Sequence, residues 1–153
     1  MDIDILCKNC ISKNEIFADA FNYYLFQGKK KIIPQDLKEV DTSIPLLIKN
    51  NNIQRYRDIF KICSIKNDNK NTYILLGIEN QTSIDKTMLF RCMVYDSLSY
   101  LKQFEEIEKK NKNDKIKLKP IITLVIYFGT HKWNNYKDLY TILDFRGIEE
   151  LKY

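Results

Sequence analysis

The part of the chain that decides the fold, residues 55–81, reads RYRDIFKICSIKNDNKNTYILLGIENQ. Its two ends, residues 55–65 and 72–81, are rich in Ile, Tyr and Phe, which favour β-strands. The polar run KNDNKN at residues 66–71 separates these ends and has the composition of a turn. This part of the chain therefore predicts a β-hairpin.

A turn that is symmetric about the midpoint of Asp68 and Asn69 fixes which residues of the hairpin face each other. It pairs Asp58 with Glu79 across the two strands. Because side chains alternate between the faces of a strand, Gln81 shares the face of Glu79, and Asp58 joins them from the partner strand. A bulged or asymmetric turn would instead leave Asp58 and Glu79 apart, each at a strand end. The other facing pairs of the symmetric turn are Ser64 with Tyr73, Ile62 with Leu75, and Phe60 with Gly77.

The facing carboxylates of Asp58 and Glu79 would make this hairpin favour a bound cation. Directly facing Cβ atoms lie about 4.5–5.5 Å apart, and two carboxylates at that separation repel unless a cation lies between them or one is protonated. Hard oxygen donors of this kind suit Mg²⁺ or Mn²⁺. The symmetric turn therefore predicts a divalent metal site with Asp58 and Glu79 as ligands.

Apolar residues at helical spacing predict a helix on either side of the hairpin. The first covers about residues 13–27, opens with the capping box Ser12–Glu15 and stops at Gly28. The second covers about residues 84–109 and ends in a lysine-rich run. Helical segments thus flank the predicted hairpin on both sides in the chain.

Further strands and a last helix complete the predicted order of elements. The short apolar segment at residues 44–48 favours an edge strand. The β-branched and aromatic run at residues 121–128 predicts a strand buried on both faces, and a C-terminal helix follows at about 136–143. This order predicts an α/β domain with a mixed central sheet flanked by helices.

Length and composition agree with a single domain over residues 1–153. The chain is 44% hydrophobic and 29% charged, which is typical of a packed soluble protein. It has no apolar run of the roughly 20 residues that a membrane-spanning helix needs, and its acidic start differs from a secretory signal. We therefore expect a cytoplasmic protein with no membrane partner.

The net charge of +5 favours a polyanionic partner such as DNA, although lysine-rich surfaces also arise from composition alone. Positive charge gathers after the first helix and after the second. Arg91 is a further phosphate contact or an arginine packed on the sheet edge. The predicted DNA-binding residues are Lys29, Lys30, Lys31, Arg91, Lys109, Lys110 and Lys112.

Five blocks spread along the chain carry a resemblance to a known family. They are FADAFNY at 17–23, QRYRD at 54–58, LLGIENQ at 75–81, YDSLSY at 95–100 and ITLVIYFG at 122–129. In this order the blocks resemble the recombination-promoting nuclease family, also called putative transposases, of the PD-(D/E)XK nuclease superfamily.

The resemblance implies a restriction-endonuclease-like core with αβββαβ order. It also implies a metal-dependent DNA endonuclease of low sequence specificity, linked to recombination or mobile DNA. Asp58 and Glu79 would be metal ligands, and Gln81 would replace the usual lysine near the attacking water. Asp19 on the first helix would reach the same metal, the alternative being a solvated helix residue.

Members of this family are usually longer, so the chain is a natural short form, a degenerate copy or a fragment. The alternative function is a catalytically weak or inactive short form, which binds DNA or a full-length nuclease paralogue and regulates it. A homodimer would suit cleavage of both strands, because two-fold symmetry matches that of duplex DNA.

Overall fold

The computed structural model describes residues 3–48, 51–56, 58–67, 70–110 and 116–147. The helices in these ranges are α1 (Ile3–Ile11), α2 (Asn14–Phe26) and α3 (Met88–Lys110). The strands are β1 (Leu37–Glu39), β2 (Ser43–Ile48), β3 (Asn51–Tyr56), β4 (Ile59–Asn67), β5 (Lys70–Gln81) and β6 (Ile121–Tyr127). None of the described helices is long and apolar enough to cross a membrane.

A four-stranded mixed sheet forms the centre of the fold, in the order β1-β4-β5-β6. The pairs β1–β4 and β4–β5 are antiparallel, whereas β6 pairs with β5 in parallel. Parallel neighbours need a long crossover connection, and α3 lies in that connection. The predicted class, a mixed α/β sheet flanked by helices, is confirmed.

Alternation of side chains along β4 and β5 divides the core into two layers. The larger layer includes buried side chains of α2, β4 and β5, among them Phe17, Phe21, Cys63, Leu76 and Ile78. The smaller layer, on the α3 side of the sheet, contains Phe60, Leu75, Ile121 and the partly buried Tyr100. By the same alternation, Glu79 and Gln81 lie on the α3 side.

The register of β4 and β5 is that of the symmetric turn. The facing pairs include Ser64 with Tyr73, Ile62 with Leu75, and Phe60 with Gly77. The strand pairing ends with Ile59 facing Ile78, one step before Asp58 and Glu79. The hairpin therefore extends up to the predicted carboxylate pair.

The predicted start of the hairpin at residue 55 is wrong. Arg55 and Tyr56 belong to β3, which pairs with β2 in a separate two-stranded sheet. The predicted edge strand at residues 44–48 falls on β2 and is therefore not an edge of the central sheet. One edge is β1, whose three residues Leu37–Glu39 are too few to give a periodic signal. The other edge is β6, and the predicted burial of residues 121–128 on both faces is wrong, because Val125 and Phe128 are exposed.

The predicted capping box at Ser12–Glu15 is also wrong. The Ser12 hydroxyl donates a 3.0 Å hydrogen bond to the carbonyl of Asn9 and so closes α1, a helix that the sequence did not predict. Lys13 takes the N-cap position of α2 and makes no side-chain cap. The predicted stop is present: Gly28 has a φ of +81° and donates its N–H to the carbonyl of Asn22 at 2.9 Å.

The C-terminal helix predicted at 136–143 is replaced by turns. The Asp138 carboxylate accepts a 3.0 Å hydrogen bond from the N–H of Thr141, and Leu143 N–H donates to Leu139, which closes a single turn. Tyr136, Tyr140 and Leu143 are exposed. Without an apolar face packed on the domain, so short a helix is not stable in water.

Lys61 on β4 is buried and links this strand to the α1–α2 junction and to β1. Its ammonium donates at 2.6 Å to both the carbonyl of Ser12 and the Oδ1 of Asn14, and it lies 2.7 Å from the carboxylate of Glu39. It also lies 5.2 Å from the centre of the Phe17 ring. Lys61 thus ties the junction of α1 and α2 to β4 and β1.

Two buried amides fix connections between elements. Asn22 accepts hydrogen bonds from the N–H groups of Lys31 and Ile32 and donates to the carbonyl of Ile32, which holds the lysine-rich segment after α2. Gln103 on α3 donates to the carbonyl of Lys119 at 3.2 Å and accepts from its N–H at 2.8 Å. The chain therefore enters β6 from a fixed point on α3.

Candidate functional site

A polar cavity of about 230 Å³ lies where β4 begins and β5 ends. Its walls come from α1, from the ends of the hairpin strands and from the first turn of α3. Asp58, Gln81 and Arg91, all predicted from the sequence, are among its lining residues. This cavity is the candidate site.

Asp58 stands directly before β4 and is partly buried. Its Oδ2 accepts a 2.7 Å hydrogen bond from the backbone N–H of Asn80. Asn80 lies between Glu79 and Gln81, so this bond continues the hairpin contacts beyond the last paired residues. The structure thus brings Asp58 beside the Glu79–Gln81 segment.

Glu79 is completely buried at the end of β5. A buried carboxylate is costly unless it is paired or hydrogen-bonded. Arg91 on α3 contributes such a pair, with its Nη2 3.3 Å from Glu79 Oε2. The buried charge at the strand end is therefore balanced from the neighbouring helix.

The other side of the Arg91 guanidinium is held by Asp85, which precedes α3. Arg91 Nη1 donates to Asp85 Oδ2 at 2.9 Å, and Asp85 Oδ1 accepts from both the N–H and the hydroxyl of Thr87 at 2.7 Å. Arg91 therefore bridges a carboxylate at the start of its own helix and Glu79 on the sheet.

These contacts shift two pKa values in the directions that favour charge. Burial opposes ionisation of Asp85, but hydrogen bonds from Thr87 and Arg91 outweigh it and lower the pKa of the Asp85 carboxyl. Burial likewise opposes the charged form of Arg91, but the bond to Asp85 and the contacts with Tyr95 and Glu79 raise its pKa above the ordinary value. Both groups are charged at neutral pH.

Replacing Asp85 by Asn removes the charge facing Arg91 and keeps an acceptor for Thr87. We expect the free energy of unfolding at pH 7 to fall by about 1 kcal/mol. Because the pKa of Asp85 is lowered in the folded protein, its contribution is present above the unfolded value and is lost as the pH falls through the folded value. Urea unfolding of both proteins from pH 7 to pH 3 should therefore give converging stabilities. A difference in the free energy of unfolding between the two proteins that stays constant with pH would contradict a stabilising charge on Asp85.

Gln81, the last residue of β5, lines the cavity and is partly buried. Its carbonyl accepts a 2.8 Å hydrogen bond from the N–H of Phe128, which follows β6. Its backbone is thus fixed from the β6 side, next to Asp58 and Arg91 in the cavity wall.

Sequence reasoning missed the contribution of α1. Asp4, Ile5 and Lys8 line the cavity, and the Asn80 amide lies 3.5 Å from the carbonyl of Asp4. A signal for α1 was present in the sequence, because its apolar residues recur at helical spacing, although only Ile11 is buried in the fold. These residues are Ile3, Leu6, Cys7, Cys10 and Ile11. Lys8 nevertheless brings a second cation, besides Arg91, to the cavity wall.

Several predicted site residues lie elsewhere. Asp19 is exposed on α2 and is not among the described residues that line the cavity. Lys29, Lys30 and Lys31 are exposed on the segment held by Asn22, also outside the lining. Lys109 and Lys110 end α3, whereas Arg91 stands in its first turn, about 27 Å away along the helix. Lys112 lies outside the described residues.

The donor set of the cavity fits a hard divalent cation. Asp58 offers a carboxylate and Gln81 an amide oxygen in the cavity wall. The carboxylate of Glu79 is completely buried and is not part of the lining, but it contacts Arg91, which is. The described ranges contain no cluster of three or more His, Cys, Asp or Glu residues suited to a metal. One or two carboxylates are nevertheless the usual protein contribution to Mg²⁺, which retains waters and binds substrate phosphates.

Comparison with known protein families matches residues 2–152 to the family described as "Putative transposase, YhgA-like". The match covers nearly the whole chain and includes every element that forms the cavity. Comparisons with curated proteins and with solved structures give no significant match.

Proposed function

Since the chain belongs to the YhgA-like putative transposase family, which associates it with mobile DNA, we propose that it is a metal-dependent DNA endonuclease. The observation that carries the proposal is the meeting of Asp58 with the Glu79–Gln81 segment at the cavity. Acidic residues on neighbouring strand ends, beside an exposed cavity, suit hydrolysis of a phosphodiester bond. The fold proposed with this activity is that of the PD-(D/E)XK nucleases.

Four residues of the cavity wall and the buried Glu79 have chemical roles in this proposal. Asp58 and Glu79 hold Mg²⁺ or Mn²⁺, and Gln81 orients the attacking water through its amide. When bound, the cation supplies a Lewis acid that polarises the phosphodiester and makes water more acidic. Lys8 and Arg91 offset the negative charge that develops on the phosphate.

The lysines outside the cavity suit contacts with the flanking DNA backbone. The segment Lys29–Lys31 and the pair Lys109 and Lys110 are exposed. Phosphate contacts carry no sequence information, which agrees with cleavage of low sequence specificity. A homodimer would present one site to each strand of the duplex.

One observation favours a second candidate function. The ion pair of Glu79 with Arg91 already balances the carboxylate that a metal would need. A chain locked in this state would bind DNA or a longer paralogue and regulate it without cutting.

Supercoiled plasmid tests the two functions against each other. We expect the purified chain to nick or linearise plasmid with Mg²⁺ or Mn²⁺, and we expect EDTA to abolish the reaction. Gel retardation of a labelled duplex, measured in parallel, reports binding independently of cleavage. Retardation without cleavage in either metal would replace the endonuclease by the regulatory function, and cleavage that persists in EDTA would refute the metal dependence.

A further inference from the structure

Arg91 occupies the carboxylate that the proposed function assigns to the metal. Its guanidinium lies 2.9 Å from Asp85 Oδ2 and 3.3 Å from Glu79 Oε2. The Glu79 side chain is 0% exposed, whereas 24% of the Arg91 side chain is exposed, on the cavity side. A ligand in the cavity can therefore contact the Arg91 side chain directly. Of Arg91 and Glu79, only Arg91 has a side chain that is exposed to solvent.

The two ion pairs of Arg91 are unequal. Asp85 is fixed by two hydrogen bonds from Thr87, and its contact with Arg91 is short. The contact with Glu79 is at the long end for a charged hydrogen bond. The Nε of Arg91 is buried, and no described residue accepts a hydrogen bond from it. The present position therefore leaves Arg91 anchored to Asp85, less tightly bound to Glu79 and with one donor unused.

We propose that Arg91 is a positioning residue that makes divalent cation binding depend on DNA. Without DNA, Arg91 holds Glu79 and opposes the cation. A DNA phosphate in the cavity accepts hydrogen bonds from the guanidinium, draws it away from Glu79 and frees that carboxylate for the cation. This inference rests on the proposed function, because it assigns Glu79 as a metal ligand.

Thermodynamic linkage between DNA binding and cation binding gives the proposal a quantitative consequence. If DNA raises the affinity for the cation by some factor, the cation must raise the affinity for DNA by the same factor. Removing the Arg91 charge should strengthen cation binding without DNA and remove most of the further gain that DNA gives. Removing the Asp85 charge should do the reverse, because Arg91 then has Glu79 as its main anionic partner.

The experiment measures binding of Mn²⁺ to the full chain by electron paramagnetic resonance of the free ion. The proteins are the natural chain, Arg91→Gln, Asp85→Asn and Glu79→Gln, each with and without a phosphorothioate duplex that resists cleavage. Arg146→Gln is the matched control, since Arg146 is exposed and pairs with the exposed Asp144. The duplex alone provides the background.

We expect DNA to tighten Mn²⁺ binding by the natural chain about tenfold. Arg91→Gln should bind Mn²⁺ about tenfold more tightly without DNA and gain less than twofold with it, and Asp85→Asn should bind more weakly. Damage to the fold would weaken both variants, so opposite changes identify the proposed coupling. If the natural chain and Arg91→Gln bind Mn²⁺ with equal affinity and Glu79→Gln loses binding, only the role proposed for Arg91 is overturned. Binding unchanged in Glu79→Gln would overturn the metal site of the proposed function.

Discussion

Replacing Glu79 by Gln is expected to lower plasmid cleavage in Mg²⁺ by about 10³-fold. Loss of a ligand removes several kcal/mol of transition-state stabilisation, and each 1.4 kcal/mol is about tenfold in rate. Gln keeps the volume of Glu79 and an oxygen for Arg91, so the completely buried site stays filled. Initial rates of nicking at saturating metal measure the effect.

Glu108→Gln is the matched control for this substitution. Glu108 is an exposed residue on α3, far along the helix from Arg91, and its change should leave the rate within about twofold. Thermal unfolding of both variants checks that they are folded. Cleavage by Glu79→Gln at a tenth of the natural rate or more would argue that Glu79 is not a ligand.

Replacing Lys61 by Ala is expected to lower the free energy of unfolding by about 3 kcal/mol. The substitution leaves the carbonyl of Ser12 and the Oδ1 of Asn14 without their donor. It also removes a buried side chain whose ammonium lies over the Phe17 ring. Glu39 is exposed and can be hydrated, so it contributes less to the loss. Urea unfolding measures the change.

Two further variants separate the causes of this loss. Lys61→Met keeps most of the buried apolar volume and removes the charged donor, so it should lose about half as much. Lys66→Ala changes an exposed lysine of the same strand and should be neutral to about 0.5 kcal/mol. If Lys61→Ala is as stable as Lys66→Ala, the buried ammonium does not hold the α1–α2 junction to the sheet.

The part of the fold that could be predicted depends on local signals. A symmetric polar turn and the alternation of side chains set the pairing of Phe60 with Gly77 and of Ser64 with Tyr73. The same local rule placed Asp58 beside the Glu79–Gln81 segment. The helices α2 and α3 lie where apolar residues recur at helical spacing.

The remaining features depend on contacts between distant segments. Lysine is usually exposed, so the burial of Lys61 could not be anticipated before its acceptors at the α1–α2 junction and on β1 were known. The sequence predicted that Arg91 either contacts a phosphate or packs on the sheet edge. Its ion-pair partners depend on how α3 docks on the sheet, which local sequence patterns do not show. The turn at Leu139–Leu143 shows that a local pattern can also mislead. Apolar residues recur there at helical spacing, but they have no surface to pack against, so the segment does not form a helix.

The two hydrogen bonds between the Gln103 side chain and the backbone of Lys119 have a consequence for how the chain folds. Parallel pairing of β5 with β6 joins segments far apart in sequence, and closing so long a loop is entropically unfavourable before any contact forms. Gln103 and Lys119 are only 16 positions apart. Because closure costs about 0.6 kcal/mol more with each doubling of loop length, a docked α3 brings β6 to the sheet through a much shorter loop. We expect refolding to pair β4 with β5 first, then to dock α3, and to add β6 last.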